Sequence, residues 1–140
     1  MITFYTDGGC SMSNQKDASK RTMIAVVSDS KGKILSDVSN HGGSNNIAEL
    51  MAMEHALDIA LKMKLKKLHI ISDSRCAISQ FKKDESKRNA KSIRKMNDYE
   101  WYQAIKGRID RLKQYIDVTL EWQGRDSNLA GHYIENKYGL

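Results

Sequence analysis

Three acidic residues stand where a soluble fold gains little by placing them, and their spacing can do metal chemistry. Glu49 is the most informative. At 100° per residue it shares a helical arc with Met53, Ala56 and Ala60, flanked by Leu50, Ala52, Leu57, Ile59 and Leu61. Glu54, His55, Asp58 and Lys62 form the polar face elsewhere. A carboxylate aimed at a core is costly unless a cation meets it. The helix dipole or a capping box explains a glutamate near a helix start, but not one directed at the sheet. Asp73 follows the apolar run Leu68-His69-Ile70-Ile71, at the strand end where ligands collect in open α/β sheets. Asp7 closes an alternating segment and precedes Gly8-Gly9, which lets another backbone come close. Taken singly, Asp73 reads better as a helix N-cap and Asp7 as the start of a turn. Together they describe something else. Three carboxylates at one spot repel each other, and an oxygen-only donor set selects Mg²⁺ or Mn²⁺ over zinc. Two such ions about 4 Å apart activate a water and stabilise a leaving oxygen in phosphodiester cleavage.

The elements that must position these acids follow from periodicity. Ile2–Thr6 alternates as a strand before the Gly8-Gly9 turn, and residues 22–28 and Ile34–Val38 form a hairpin around Asp29-Ser30-Lys31-Gly32. A long helix is expected over residues 47–63, with Asn45 or Asn46 as its cap. Leu68–Ile71 reads as a buried strand, Arg75–Phe81 as a short helix and residues 98–115 as a second long helix. Val118–Trp122 is the last strand, and a terminal helix runs from Leu129. The order predicts an α/β domain spanning 1–140, a mixed sheet with one antiparallel side and helices over its faces.

Composition narrows the function. The 140 residues carry a net charge of +6. The stretch from Lys82 to Lys95 holds seven bases against Asp84 and Glu85, and Lys62, Lys64, Lys66 and Lys67 form a second basic group. A basic patch beside a slightly acidic remainder suits a protein that holds a polyanion and acts on it with carboxylates. The same charges equally suit a solvated loop and a helix C-terminus. No run of 18 apolar residues is present, so no membrane span is expected. Cys10 and Cys76 are too few for a disulfide scaffold and lack zinc spacing. With no leader pattern at the start of the chain, a reducing, cytoplasmic setting is expected.

Asp7-Gly8-Gly9, Asn45-Asn46-Ile47-Ala48-Glu49-Leu50 and Ser72-Asp73-Ser74, in this order and spacing and followed by Trp122 through Asn128, resemble type 1 ribonuclease H over nearly the whole chain. The resemblance implies a five-stranded mixed sheet of order 3-2-1-4-5 and an endonuclease that cuts the RNA strand of RNA–DNA hybrids; a small, undecorated domain of this kind is expected to act as a monomer.

 The implied products carry a 5′-phosphate and a 3′-hydroxyl, and the implied cofactor is a pair of Mg²⁺ ions, with Mn²⁺ as a substitute. Asp7, Glu49 and Asp73 would then be metal ligands. One ion would be held by Asp7 and Asp73 with a fourth group, the other shared by Asp7 and Glu49.

The fourth acid is where the chain departs from the family. Short members place an aspartate four residues after the asparagine of Arg-Glu-x-Asn, whereas Arg125-Asp126-Ser127-Asn128-Leu129-Ala130-Gly131-His132 puts His132 there. Glu135 on the same helical face, His132 itself, or Asp126 in the preceding loop could supply the missing group. By the same resemblance, the backbone of Gly8, Gly9 and Cys10 and the side chains of Asn45, Asn46 and Glu49 would lie along the minor groove, where 2′-hydroxyls mark RNA. Ser74, Arg125 and Asn128 join the expected substrate contacts, and the basic stretch with Lys87 and Arg88 would meet phosphates of the DNA strand. Two other readings stay open: a hybrid-binding module that has lost catalysis, and a resolvase- or integrase-like nuclease of the same fold.

Overall fold

The computed structural model describes residues 1–11, 20–83 and 99–140. Lys87, Arg88 and most of the basic stretch lie outside these residues. Strands β1 (Thr3–Ser11), β2 (Thr22–Asp29) and β3 (Ile34–His41) precede helix α1 (Asn45–Lys62). Then come β4 (Lys67–Ser72), α2 (Arg75–Lys82), α3 (Tyr99–Leu112), β5 (Asp117–Trp122) and α4 (Leu129–Tyr138). The strands form one sheet in the order β3-β2-β1-β4-β5. β1 and β3 run antiparallel to β2, and β4 runs parallel to both β1 and β5. The sheet order expected from the resemblance is the one observed.

Alternation along β2 splits the core. Met23, Ala25 and Val27 join Phe4, Leu68 and Ile70 under α1, α2 and α3, while Ile24 and Val26 meet Ala130 and Ile134 of α4 on the opposite face. Side chains of successive strand residues point to opposite faces, so one strand serves both layers. Burial of the apolar arc of α1, from Ile47 and Ala48 through Leu57 and Ala60, fixes that helix across the sheet.

Two local expectations are corrected. Gly8-Gly9 is not a turn: β1 continues to Ser11, with Gly8 opposite Ala25 and Gly9 opposite Ile24. Neither glycine has a positive φ, so extended pairing continues through both. The cap of α1 is Ser44, not Asn45 or Asn46; its Oγ accepts from the Ile47 backbone N–H at 3.3 Å. That choice leaves Asn45 and Asn46 exposed in the first helical turn. Likewise Ser74, not Asp73, caps α2, with its Oγ accepting from the Ala77 N–H at 3.1 Å. Asp73 is thereby released from capping duty.

Candidate active site

Register brings the first two acids together. β1 and β4 pair in parallel with Tyr5 opposite Ile71. Asp7, within β1, and Asp73, just past the end of β4, each lie two residues further on, so they stand side by side on strands roughly 4.8 Å apart. The third acid arrives through a close approach of backbones. A Cβ built on Gly8 would stand 2.2 Å from the Ala48 carbonyl carbon and 2.3 Å from the Glu49 nitrogen. Only a glycine lets the first turn of α1 rest on β1 at this point. One carboxylate oxygen from each of Asp7, Glu49 and Asp73 then lies within 4.8 Å of the other two.

The cluster is buried and short of donors. Asp7 is 1% exposed, and both its carboxylate oxygens, with Glu49 Oε2 and Asp73 Oδ2, are buried without a hydrogen-bond partner. Burial is the main force pushing the Asp7 carboxyl up to about 6; the Asp73 charge adds to it, while Glu49 and Arg125 oppose it. Burial likewise holds Glu49 well above the ordinary carboxylate range, reinforced by Asp7 and Asp73. Asp73 is raised by burial, against the pull of Arg125, Asp7 and Asn128. Orphaned buried oxygens and an all-oxygen donor set fit hard divalent cations, which would repay the desolvation and the repulsion together. The three acids thus form a cluster able to coordinate a metal ion.

The other expected site residues are placed differently. Among the described residues neither His132 nor Glu135 joins the three-acid cluster. Glu135 is exposed, and its Oε1 lies 4.0 Å from Arg125 Nε. His132 is half-buried in the first turn of α4, its backbone N–H bonded to the Asn128 carbonyl. Asp126 is exposed in the short turn before α4. Asn128 is fully buried and its amide is spent on structure: Nδ2 donates to the Thr6 carbonyl at 3.0 Å, and Oδ1 accepts from the Gly131 N–H at 3.1 Å. Gly8, Gly9 and Cys10 are buried as well, with Gly9 under Leu140 and Ile134. They build the floor of the site.

Two residues escaped the sequence reading. Gly131 faces Asp7, and a Cβ there would stand 3.1 Å from Asp7 Oδ2. The spacing Asn128-x-x-Gly131, an N-cap with its N3 partner, was the available signal. Trp122 ends β5, and its indole N–H donates to the Asp73 carbonyl at 3.1 Å; no local pattern marks that bond.

Comparison with known proteins agrees with this geometry. The family model described as RNase H matches residues 1–128. No curated protein is similar enough to match. Among solved structures, RNase H1 from the halophilic archaeon Halobacterium salinarum is 18% identical with a TM-score of 0.62, covering 94% of this chain and 92% of its own. The N-terminal RNase H domain of Rv2228c from Mycobacterium tuberculosis, solved as a fusion with maltose-binding protein, is 15% identical with a TM-score of 0.62, covering 97% and 90%. LC11-RNase H1, solved in complex with RNA/DNA hybrid, is 20% identical with a TM-score of 0.58, covering 91% and 88%. With the family model matching most of its length and the three acids assembled from the middle of β1, the end of β4 and the start of α1, this chain belongs to the RNase H family.

Proposed function

We propose that this protein is a type 1 ribonuclease H, a metal-dependent endonuclease that hydrolyses the RNA strand of RNA–DNA hybrids to 5′-phosphate and 3′-hydroxyl ends. The observation that carries the reading is the trio of carboxylates four of whose oxygens are buried without a partner. Asp7 and Asp73 would hold one divalent ion, and Asp7 and Glu49 a second, of Mg²⁺ or Mn²⁺. When bound, such ions activate a water and neutralise the charge growing on the departing 3′-oxygen. The protein's own part is to hold the three carboxylates rigidly, through the β1–β4 register and the Gly8 contact, so that little reorganisation accompanies the reaction. Asn45 and Asn46, exposed in the first turn of the helix that carries Glu49, would read the minor groove. Arg125, whose charge acts on Asp7 and Asp73, would meet the backbone of the substrate, and Ser74 lies beside Asp73 at the start of α2. His132 and Glu135 are the candidates to complete the donor set. In this reading the protein acts as a monomer of one domain in the cytoplasm.

A second reading has one observation in its favour. Among the described residues no fourth acid or histidine stands within the cluster, as a hybrid-binding module without catalysis would have it. End-labelled RNA–DNA hybrid, duplex DNA, duplex RNA and a four-way junction, each incubated with Mg²⁺, Mn²⁺ or EDTA, separate the readings. Metal-dependent cuts confined to the RNA of the hybrid, falling to background in Asp73→Asn, are expected. Hybrid binding without cutting under either metal would establish the binding module, and full activity in Asp73→Asn would remove Asp73 from the site.

A further inference from the structure

On the outer side of α2, a groove of about 520 Å³ is lined by Arg75, Ile78, Ser79, Lys82, Lys83 and Trp122. Its volume falls within the range of clefts that hold small organic groups, roughly 300–1,000 Å³. Three of the six lining residues are cationic and none is acidic. The Arg75 guanidinium lies 4.0 Å from the centre of the Trp122 ring, and that ring is 43% exposed. A flat aromatic and a flat cation beside two lysines match the demands of an unpaired nucleotide: planes for the base and positive charge for the phosphates. Two of the lining residues are tied to the cluster: the Trp122 N–H holds the Asp73 carbonyl, and Arg75 is two residues beyond Asp73.

We infer that the Arg75–Trp122–Lys82–Lys83 groove binds a single-stranded nucleic acid segment, so that a substrate with an unpaired extension is held in two places. The inference rests on the nucleic-acid reading above and names a substrate feature for it. The base stacks on the Arg75–Trp122 pair, and Lys82 and Lys83 take the flanking phosphates. Such contacts tolerate any base, since each has a π-face, and they weaken steeply with salt.

The test is fluorescence anisotropy of labelled oligo(dT) and oligo(rU) with the full chain, in EDTA at low salt. The double variant Lys82→Gln/Lys83→Gln is expected to lose about tenfold in affinity or more, and Trp122→Ala a similar factor. Lys66→Gln/Lys67→Gln makes the same change of charge at the far end of the sheet, where β4 begins, and is expected to bind as the wild type does. Trp122→Phe keeps a stacking ring without the N–H, retains most of the affinity, and decides the matter if Trp122→Ala fails to fold. Equal losses in the two lysine pairs, or full affinity in the folded Trp122→Ala protein, would overturn the groove. Failure of the wild type to bind either oligomer while it still cuts hybrid would overturn the groove and leave the nuclease reading intact. Groove-dependent binding without hybrid cleavage would do the reverse.

Discussion

Asp7 and Asp37 are both carboxylates on β1 and β3, the two strands that flank β2, yet the fold treats them in opposite ways. Asp37 receives the Tyr133 hydroxyl at 2.6 Å, the Tyr138 hydroxyl at 2.7 Å and the Lys137 ammonium at 2.6 Å, tying α4 to β3. Burial opposes the charge of Asp37, but these donors prevail and hold its carboxyl below the ordinary value. Asp7 has no such donor on either oxygen and is pushed up to about 6 by burial, with the Asp73 charge adding to it. A carboxylate whose partners come from the protein is an anchor. One that is buried and left unpaired among two others is kept for something the protein binds.

The comparison breaks most severely if the acids are pulled apart. Gly8→Ala would drive a methyl into the Ala48 backbone, lifting the first turn of α1 off β1. Nuclease activity is expected to fall by about 100-fold or more, with a loss of stability of roughly 1–3 kcal/mol or beyond. Near-normal activity in a folded Gly8→Ala protein would mean that the close approach does not set the site.

A smaller effect separates the two acids by the sign of their pH dependence. Because the folded Asp7 carboxyl is raised from 3.8 to about 6, its contribution to stability is present below the unfolded value and lost as pH rises through about 6. In EDTA the unfolding free energy from urea titration should therefore fall between about pH 4 and 7, by an amount on the order of 3 kcal/mol. Mg²⁺ should restore it in the wild type, and Asp7→Asn should make the slope shallower, Glu49 and Asp73 being raised as well, and lose the response to metal. A flat profile in EDTA would show that burial does not hold the Asp7 carboxyl in its neutral form.

The mildest prediction concerns the anchor. Asp37→Asn should cost roughly 1–2 kcal/mol at neutral pH, seen as a lower urea midpoint, with the metal response unchanged. The folded Asp37 carboxyl is lowered, so its stabilisation is present above the unfolded value and lost as pH falls through the folded one. The deficit of the variant should accordingly shrink in acid. An equal deficit at every pH would mean that shape, and not charge, holds α4 to β3.

Much of this arrangement was legible before any coordinates. The apolar arc of α1 has the misplaced glutamate in its midst, and the strand and helix order is the one observed. Boundaries were less legible: β1 runs through Gly8-Gly9 because its pairing with β2 continues there, and a glycine pair reads locally as a turn. The cap of α1 fell to Ser44 because three polar residues in a row could each serve, and only the path of the entering chain chose among them.

The order of residues dictates the chemistry available: three acids, two carried by strands and one near the start of a helix, each element set by a local period of two or 3.6 residues. That the acids meet is a matter of packing between the elements. The β1–β4 register, the Gly8 contact with Ala48 and Glu49, the seating of Gly131 against Asp7 and the Trp122 bond to Asp73 all join residues far apart in the chain. Local periodicity carries no information about such partners, because they are chosen by which faces can be buried together and how closely two backbones can pack.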